Sequence, residues 1–167
     1  MKIEFNVVEI IKDTDIKMVR DFFNFHRTLT KSDKEHYMSY ETARETLDEW
    51  LKTDNFRIVC VNDLVVGFIY YKLGGQDFAW LEDIFLKEEF RGKGYGKKIV
   101  SKFFKMLKTE GVVSCVVNVI PRNEVAIKFY IECGFNHLNM LELRVNFDPK
   151  YDKTDEIEIL GHKLIKY

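Results

Sequence analysis

The chain has 167 residues, enough for one domain with a substantial hydrophobic core. Its 46% hydrophobic and 32% charged composition excludes disordered and fibrous classes. The formal net charge of −1 excludes a general electrostatic grip on nucleic acid.

The first segment, Met1 to Asp13, mixes Lys2, Glu4, Glu9 and Lys12 into its apolar residues, a pattern of neither a signal peptide nor a membrane span. Within it, Ile3 to Glu9 alternates as a first strand. Asp15 to Leu29 carries Ile16, Val19, Phe22, Phe23 and His26 at helical spacing, with Asp13 or Thr14 as N-cap. Thr30 to Tyr40 is a polar loop. Thr42 and Glu45 have capping-box spacing ahead of the stripe Ala43, Leu47, Trp50 and Leu51, which predicts a second helix. Phe56–Val61 and Leu64–Leu73 are strands joined by the hairpin signal Asn62-Asp63, and Phe78–Leu86 is the next strand.

A glycine-dense loop, Glu88 to Gly96, precedes an amphipathic helix with Ile99, Val100, Phe103, Met106 and Leu107 on one face. Gly111 ends that helix, and Val112–Val119 is apolar enough for a strand buried on both faces. Glu124–Cys133 is a short helix closed by Gly134, and Leu141–Phe147 alternates as a strand. Glu156–Tyr167 is a small hairpin around Gly161-His162. The order is that of one layered α/β (α+β) domain over residues 1–167, with 148–167 as a C-terminal extension.

Cys60, Cys115 and Cys133 lie far apart in apolar segments, which reads as buried thiols in a reducing cytoplasm. His26, His36, His137 and His162 have no metal-ligand spacing, so no metal is expected.

The central feature is Phe90-Arg91-Gly92-Lys93-Gly94-Tyr95-Gly96-Lys97-Lys98, between a strand and a helix. Unpaired amides at the helix N-terminus, with the helix dipole, attract a phosphate-like anion. Glycines let backbone approach it closely, and Arg91, Lys93, Lys97 and Lys98 add positive charge. A diphosphate is therefore expected. A Walker A loop is excluded because Arg91 stands where its first Gly belongs and Lys98 where its Ser or Thr belongs. A dinucleotide fingerprint starting at Gly92 fails because Lys97 replaces its third Gly.

Arg91-Gly92-Lys93-Gly94-Tyr95-Gly96 resembles the (Arg or Gln)-x-x-Gly-x-(Gly or Ala) motif of the GNAT acetyltransferase superfamily. Leu81-Glu82-Asp83-Ile84-Phe85-Leu86 precedes it as in that family. Asn123, Ala126 and Phe129-Tyr130-Ile131-Glu132-Cys133-Gly134-Phe135 resemble the family's N-x-x-A-x-x-F-Y-x-x-x-G-F ending. The likeness covers about Trp80 to Phe135 and is locally nearest to the spermidine/spermine and thialysine acetyltransferases.

The resemblance implies a mixed central sheet flanked by helices, with two strands splayed around a coenzyme A site. It implies transfer of an acetyl group from acetyl-CoA to an amine. Pantetheine would bond to backbone at Ile84, Phe85 and Leu86, and pyrophosphate to amides from Gly92 to Lys97, Tyr95 and Gly96 included. Asn123 would add a cofactor hydrogen bond beside its N-cap role. A primary amine has a pKa near ~10.4 and must lose a proton before attack. The resemblance places that base at Glu82 and the acid for the departing thiolate at Tyr130. Strand alternation sets Glu82 on one face with Trp80, Ile84 and Leu86, and Asp83 on the other, so Asp83 stays open as the base.

A small polyamine or diamine is the favoured acceptor. A protein N-terminus or lysine and an aminoglycoside remain as alternatives, as does a non-catalytic acyl-CoA-binding module. The expected partners are therefore acetyl-CoA and a small amine, with no nucleic acid or membrane, and the family leaves a homodimer open.

Overall fold

The computed structural model describes residues 1–53, 55–75 and 77–167. They form two compact units, Met1–Asn118 and Val119–Tyr167. The first unit holds a five-stranded sheet in chain order: β1 (Ile3–Asn6), β2 (Phe56–Val61), β3 (Leu64–Gly74), β4 (Phe78–Leu86) and β5 (Ser114–Val117). Neighbours are antiparallel except β5, which runs parallel to β4. The β2–β3 turn uses Asn62 and Asp63 at φ 48° and 69°, a left-handed pair that short polar side chains tolerate.

Helices α1 (Asp13–Leu29) and α2 (Tyr40–Leu51) cover one sheet face. Ile16, Val19 and Phe22 of α1 and Ala43, Leu47 and Trp50 of α2 enclose Phe56, Ile58, Phe68, Tyr70 and Phe85. Trp50 stacks on Tyr70 with ring centres 4.6 Å apart, and Phe68 on Phe85 at 5.6 Å. Each such side chain contributes about 1.5–3 kcal/mol through its burial. Tyr71 follows Tyr70 in β3, so it points to the opposite face. There it meets Phe103 of α3 (Tyr95–Thr109) at 5.2 Å. Ile99, Val100, Phe103 and Leu107 form the buried stripe that the sequence predicts.

The structure revises several boundaries. Helix α1 starts at Asp13 rather than being capped by it, and the Asp15 carboxylate accepts from the Lys12 N–H at 3.0 Å. Helix α2 is capped by Ser39, whose hydroxyl accepts from the Thr42 N–H at 3.1 Å, so the Thr42–Glu45 spacing is not used as a cap. Helix α3 starts at Tyr95, which makes Tyr95 and Gly96 helical rather than loop residues. Strand β1 ends at Asn6, and β5 keeps only four residues of its apolar run. As an edge strand β5 is half-buried, and neighbouring Val113 is 78% exposed, so the run is not buried on both faces.

The second unit contains α4 (Glu124–Cys133) and the hairpin of β6 (Glu156–Ile159) and β7 (His162–Ile165). The hairpin turns on Leu160-Gly161, one residue earlier than expected, with φ 53° and 78°. The Arg122 guanidinium pairs with Asp155 and donates to the Lys166 carbonyl at 2.6 Å. It anchors this unit. The expected strand Leu141–Phe147 does not form, because alternation alone gives a strand no ladder to join. None of the three cysteines forms a disulfide; Cys60 is buried, whereas Cys115 and Cys133 are only half-buried.

Candidate active site

The centre of β4 departs from simple alternation. Tyr70 pairs with Asp83, and Tyr71 pairs with Leu81, so Glu82 is an extra residue in a β-bulge. The consequence shows in the packing. Asp83 lies opposite Tyr70 and Phe85 opposite Phe68, both on the face under α1 and α2. Leu81 lies opposite Tyr71 on the α3 face, although Phe85 is four positions on, an even offset that simple alternation would place on the same face. Glu82 follows Leu81 and turns away from that face. The two carboxylates therefore share the α1–α2 face, which corrects the expectation that they oppose each other.

Lys72 joins them from β3. Its Nζ lies 3.4 Å from a Glu82 carboxylate oxygen and 5.8 Å from the centre of the Tyr70 ring. Burial pushes the Asp83 carboxyl up to about 7; the neighbouring Glu82 charge adds to this and Lys72 opposes it. Two carboxyl groups with different environments, one ion-paired and one held near neutrality, thus stand side by side.

The cofactor edge begins at the same point. Strand β5 pairs with β4 only from Phe78 to Leu81. Among the described residues, Asp83 to Leu86 have a ladder on the β3 side alone. With Lys87 N–H bonded to the Val66 carbonyl, alternation turns the backbone groups of Phe85 toward β3 and those of Ile84 and Leu86 to the open edge, where a pantetheine amide chain could bond. Gly67 of β3 supports this stretch: a Cβ there would lie 1.9 Å from the Phe85 carbonyl oxygen.

Beyond β4 the chain turns through Gly92 and Gly94, at φ 69° and 77°. A Cβ at either position meets nothing within 4 Å, so backbone conformation requires the glycines and the space beside them is open. The first turn of α3 carries no acidic residue to oppose its N-terminal positive potential. This geometry fits a diphosphate.

Two of the expected cations also bond to the loop's own backbone. Arg91 Nε donates to the Leu86 carbonyl at 2.7 Å, and its guanidinium lies 5.7 Å and 5.4 Å from the Phe25 and Phe85 rings. Lys93 Nζ donates to the Glu89 carbonyl at 2.8 Å. Both brace the loop.

Glu82, the β4 edge and the glycine turn lie in the first unit; Asn123 and Tyr130 lie in the second. Asn123 caps α4, its Oδ1 accepting from the Ala126 N–H at 3.2 Å. Tyr130 is half-buried, its ring 5.2 Å from Phe129 and 5.6 Å from Phe135. Sequence reasoning missed Lys72 and the bulge. Gly67 was findable, since glycine inside a strand signals close backbone approach. Asp33, Glu35 and His36 bring ligand-type atoms within 4.8 Å of one another, but all three are exposed.

The model of the acetyltransferase (GNAT) family matches residues 19–135. Thialysine N-epsilon-acetyltransferase of Sus scrofa is 33% identical over 75 residues, 45% of this chain and 44% of that protein. Spermidine N(1)-acetyltransferase of Thermoplasma acidophilum is 32% identical over 71 residues, 42% of this chain and 44% of that protein. An uncharacterised N-acetyltransferase of Methanocaldococcus jannaschii is 26% identical over 149 residues, 83% of this chain and 63% of that protein. These matches therefore cover less than two thirds of the relatives' own lengths.

In fold, the chain resembles the PaiA N-acetyltransferase of Thermoplasma acidophilum in complex with coenzyme A. The TM-score is 0.62 at 23% identity, covering 80% of this chain and 89% of that one. A GNAT acetyltransferase of Elizabethkingia anophelis with acetyl-CoA bound gives a TM-score of 0.60 at 13% identity, covering 98% and 92%. No helix among the described residues is long and apolar enough to cross a membrane. With the family model spanning residues 19–135, the chain belongs to the GNAT acetyltransferase family.

Proposed function

We propose that this chain moves an acetyl group from acetyl-CoA to a primary amine, with a small polyamine or diamine as acceptor. Both units serve one acetyltransferase domain in this reading. The amine nitrogen attacks the thioester carbonyl after losing a proton to Glu82. The carbon–sulfur bond then breaks, the departing thiolate takes the phenolic proton of Tyr130, and the second proton of the acylated nitrogen restores the Tyr130 phenol. The Leu86 N–H at the open end of β4 donates to the tetrahedral oxyanion. The glycine turn from Gly92 to Gly94 and the first amides of α3 hold the pyrophosphate, while Asn123 adds a cofactor hydrogen bond. Holding thioester and amine together supplies much of the rate.

The observation that carries this reading is the bulge. It turns Glu82 and Asp83 to one face at the residue where β4 parts from β5. Glu82 already holds a primary ammonium, that of Lys72, so its surroundings suit the cation an amine acceptor brings. Two matched relatives are named for acting on thialysine and spermidine, both amines. A second reading makes Asp83 the base, favoured by its carboxyl near 7, which is better matched to neutral pH than an ordinary carboxylate. Three cysteines outside any disulfide suit a reducing cytoplasm.

Acetyl-CoA-dependent thiol release across an amine panel tests the proposal. Polycationic amines should outpace neutral amines of similar size, with an advantage that shrinks as salt screens the site. Preference for an uncharged acceptor would overturn the polyamine assignment. Acetyl-CoA binding with no release on any amine would make the chain a non-catalytic binding module.

A further inference from the structure

A primary amine already stands at the proposed base. Lys72 Nζ lies 3.4 Å from a carboxylate oxygen of Glu82. Both residues belong to the sheet of the first unit, so strand register fixes their contact. Lys72 pairs directly with Trp80, and residues opposite each other on two strands share a face. Trp80 nonetheless leans away from Glu82. Its ring lies 4.4 Å from that of Phe78 and covers Gly74, where a Cβ would come within 2.2 Å of it. The ring fits there because position 74 is glycine. With that side filled, the Lys72 stem runs the other way. It passes Tyr70, with Nζ 5.8 Å from the ring centre, and ends on the carboxylate that the bulge brings to the same face.

An acceptor amine must reach this same arrangement. Lys72 carries the functional group of the proposed acceptors, a primary ammonium on an alkyl chain. It touches the carboxylate that would take the acceptor's proton. The open edge of β4 begins at Ile84, two residues or roughly 7 Å along the strand from Glu82. A lysine held at this point reacts as an intramolecular group, and its effective concentration far exceeds that of a free amine in solution.

We infer, on the reading that Glu82 is the base and the β4 edge holds the thioester, that Lys72 is itself an acceptor, acetylated once by the acetyl-CoA bound to its own chain. The Lys72 ammonium gives one proton to Glu82, and its nitrogen attacks the acetyl carbonyl carbon. The carbon–sulfur bond breaks, and a second proton from that nitrogen passes to the thiolate. The products are Nε-acetyl-Lys72 and coenzyme A, and Glu82 returns its proton to water. The new amide is neutral, so the reaction stops after one group and leaves Glu82 without the Lys72 cation.

Peptide mapping by mass spectrometry tests this on the full chain, incubated with acetyl-CoA and no added amine. An acetyl group should appear on Lys72 at least about tenfold faster than on lysines of the other sheet face, such as Lys105 of α3. The first-order rate should not depend on protein concentration. Glu82→Gln should slow it by roughly 10²-fold while background acetylation of Lys105 stays unchanged. Lys72→Arg keeps a cation that stays protonated, and should show only that background. Circular dichroism should show the parent fold in both variants. Modification of Lys72 no faster than of Lys105 overturns the inference. So does a rate proportional to protein concentration, or one indifferent to Glu82→Gln. A chain that acetylates free amines but leaves Lys72 unmodified refutes this inference alone. A chain that does neither refutes the catalytic reading as well.

Discussion

The two units differ in how they hold the residues assigned to catalysis. In Met1–Asn118, Glu82 and Asp83 stand on a sheet whose neighbours Phe56, Phe68 and Leu81 are almost completely buried. In Val119–Tyr167 no apolar side chain among the described residues is buried. Tyr130 rides on a ten-residue helix held at its ends by Asn123 and Gly134. Interior packing fixes the first set, and local caps and ion pairs such as Arg122–Asp155 hold the second. Substitutions in the first unit should therefore move binding or stability along with rate. Those in the second should move rate alone.

The largest effect is expected from Tyr130→Phe. If the phenol protonates the thiolate, kcat should fall by roughly 10²-fold with KM for acetyl-CoA little changed, as losses of a general acid commonly run. Thermal melting should stay near that of the parent, because the ring is half-buried on an exposed helix. A variant with near-parental kcat while chemistry limits turnover breaks the assignment; a large loss of stability breaks the comparison between the units.

The next effect belongs to Asp83. Its folded carboxyl titrates at about 7, whereas an unfolded aspartate titrates near ~3.9. The native state thus binds the extra proton, and the parent loses stability as pH rises from about 4 through 7. Asp83→Asn removes that loss and should gain about 1–3 kcal/mol on the parent at pH 8, with the gain vanishing near pH 4. Urea unfolding at the two pH values checks it. A pH-independent difference would mean that Asp83 is not held protonated.

The smallest is Gly94→Val. At φ 77° a β-branched residue is strained, and the new side chain enters the open space beside the turn. Affinity for coenzyme A should fall at least tenfold, about 1.4 kcal/mol, measured by calorimetry on folded protein. Unchanged affinity would place the pyrophosphate elsewhere.

Much of the first unit was legible in the sequence because its signals are local. The hairpin at Asn62-Asp63, the limits of β4 and the stripe of α3 follow from turn chemistry and periodicity. Motif and glycine pattern together marked the loop from Arg91 to Gly96. The bulge was not legible, because an extra residue in one strand is defined only by its partner: nothing in Leu81-Glu82-Asp83 announces that Tyr70 and Tyr71 will pair around it. The same reason explains Lys72, brought to Glu82 by the β3–β4 register. In the second unit, α4 was legible from Asn123 and Gly134, its two caps. Leu141–Phe147 was misread because a strand pattern is necessary for a strand but does not supply the neighbour.

The central claim is that Glu82, turned by the bulge, takes the amine's proton. The most direct test is the ratio of Glu82→Gln to parental kcat/KM for one amine acceptor across about pH 7 to 10. The account predicts a deep deficit at pH 7, where the amine is protonated. The ratio should then rise toward pH 10, as free amine becomes abundant and the base less necessary. A ratio that stays flat over this range would contradict it and move the role to Asp83 or to water.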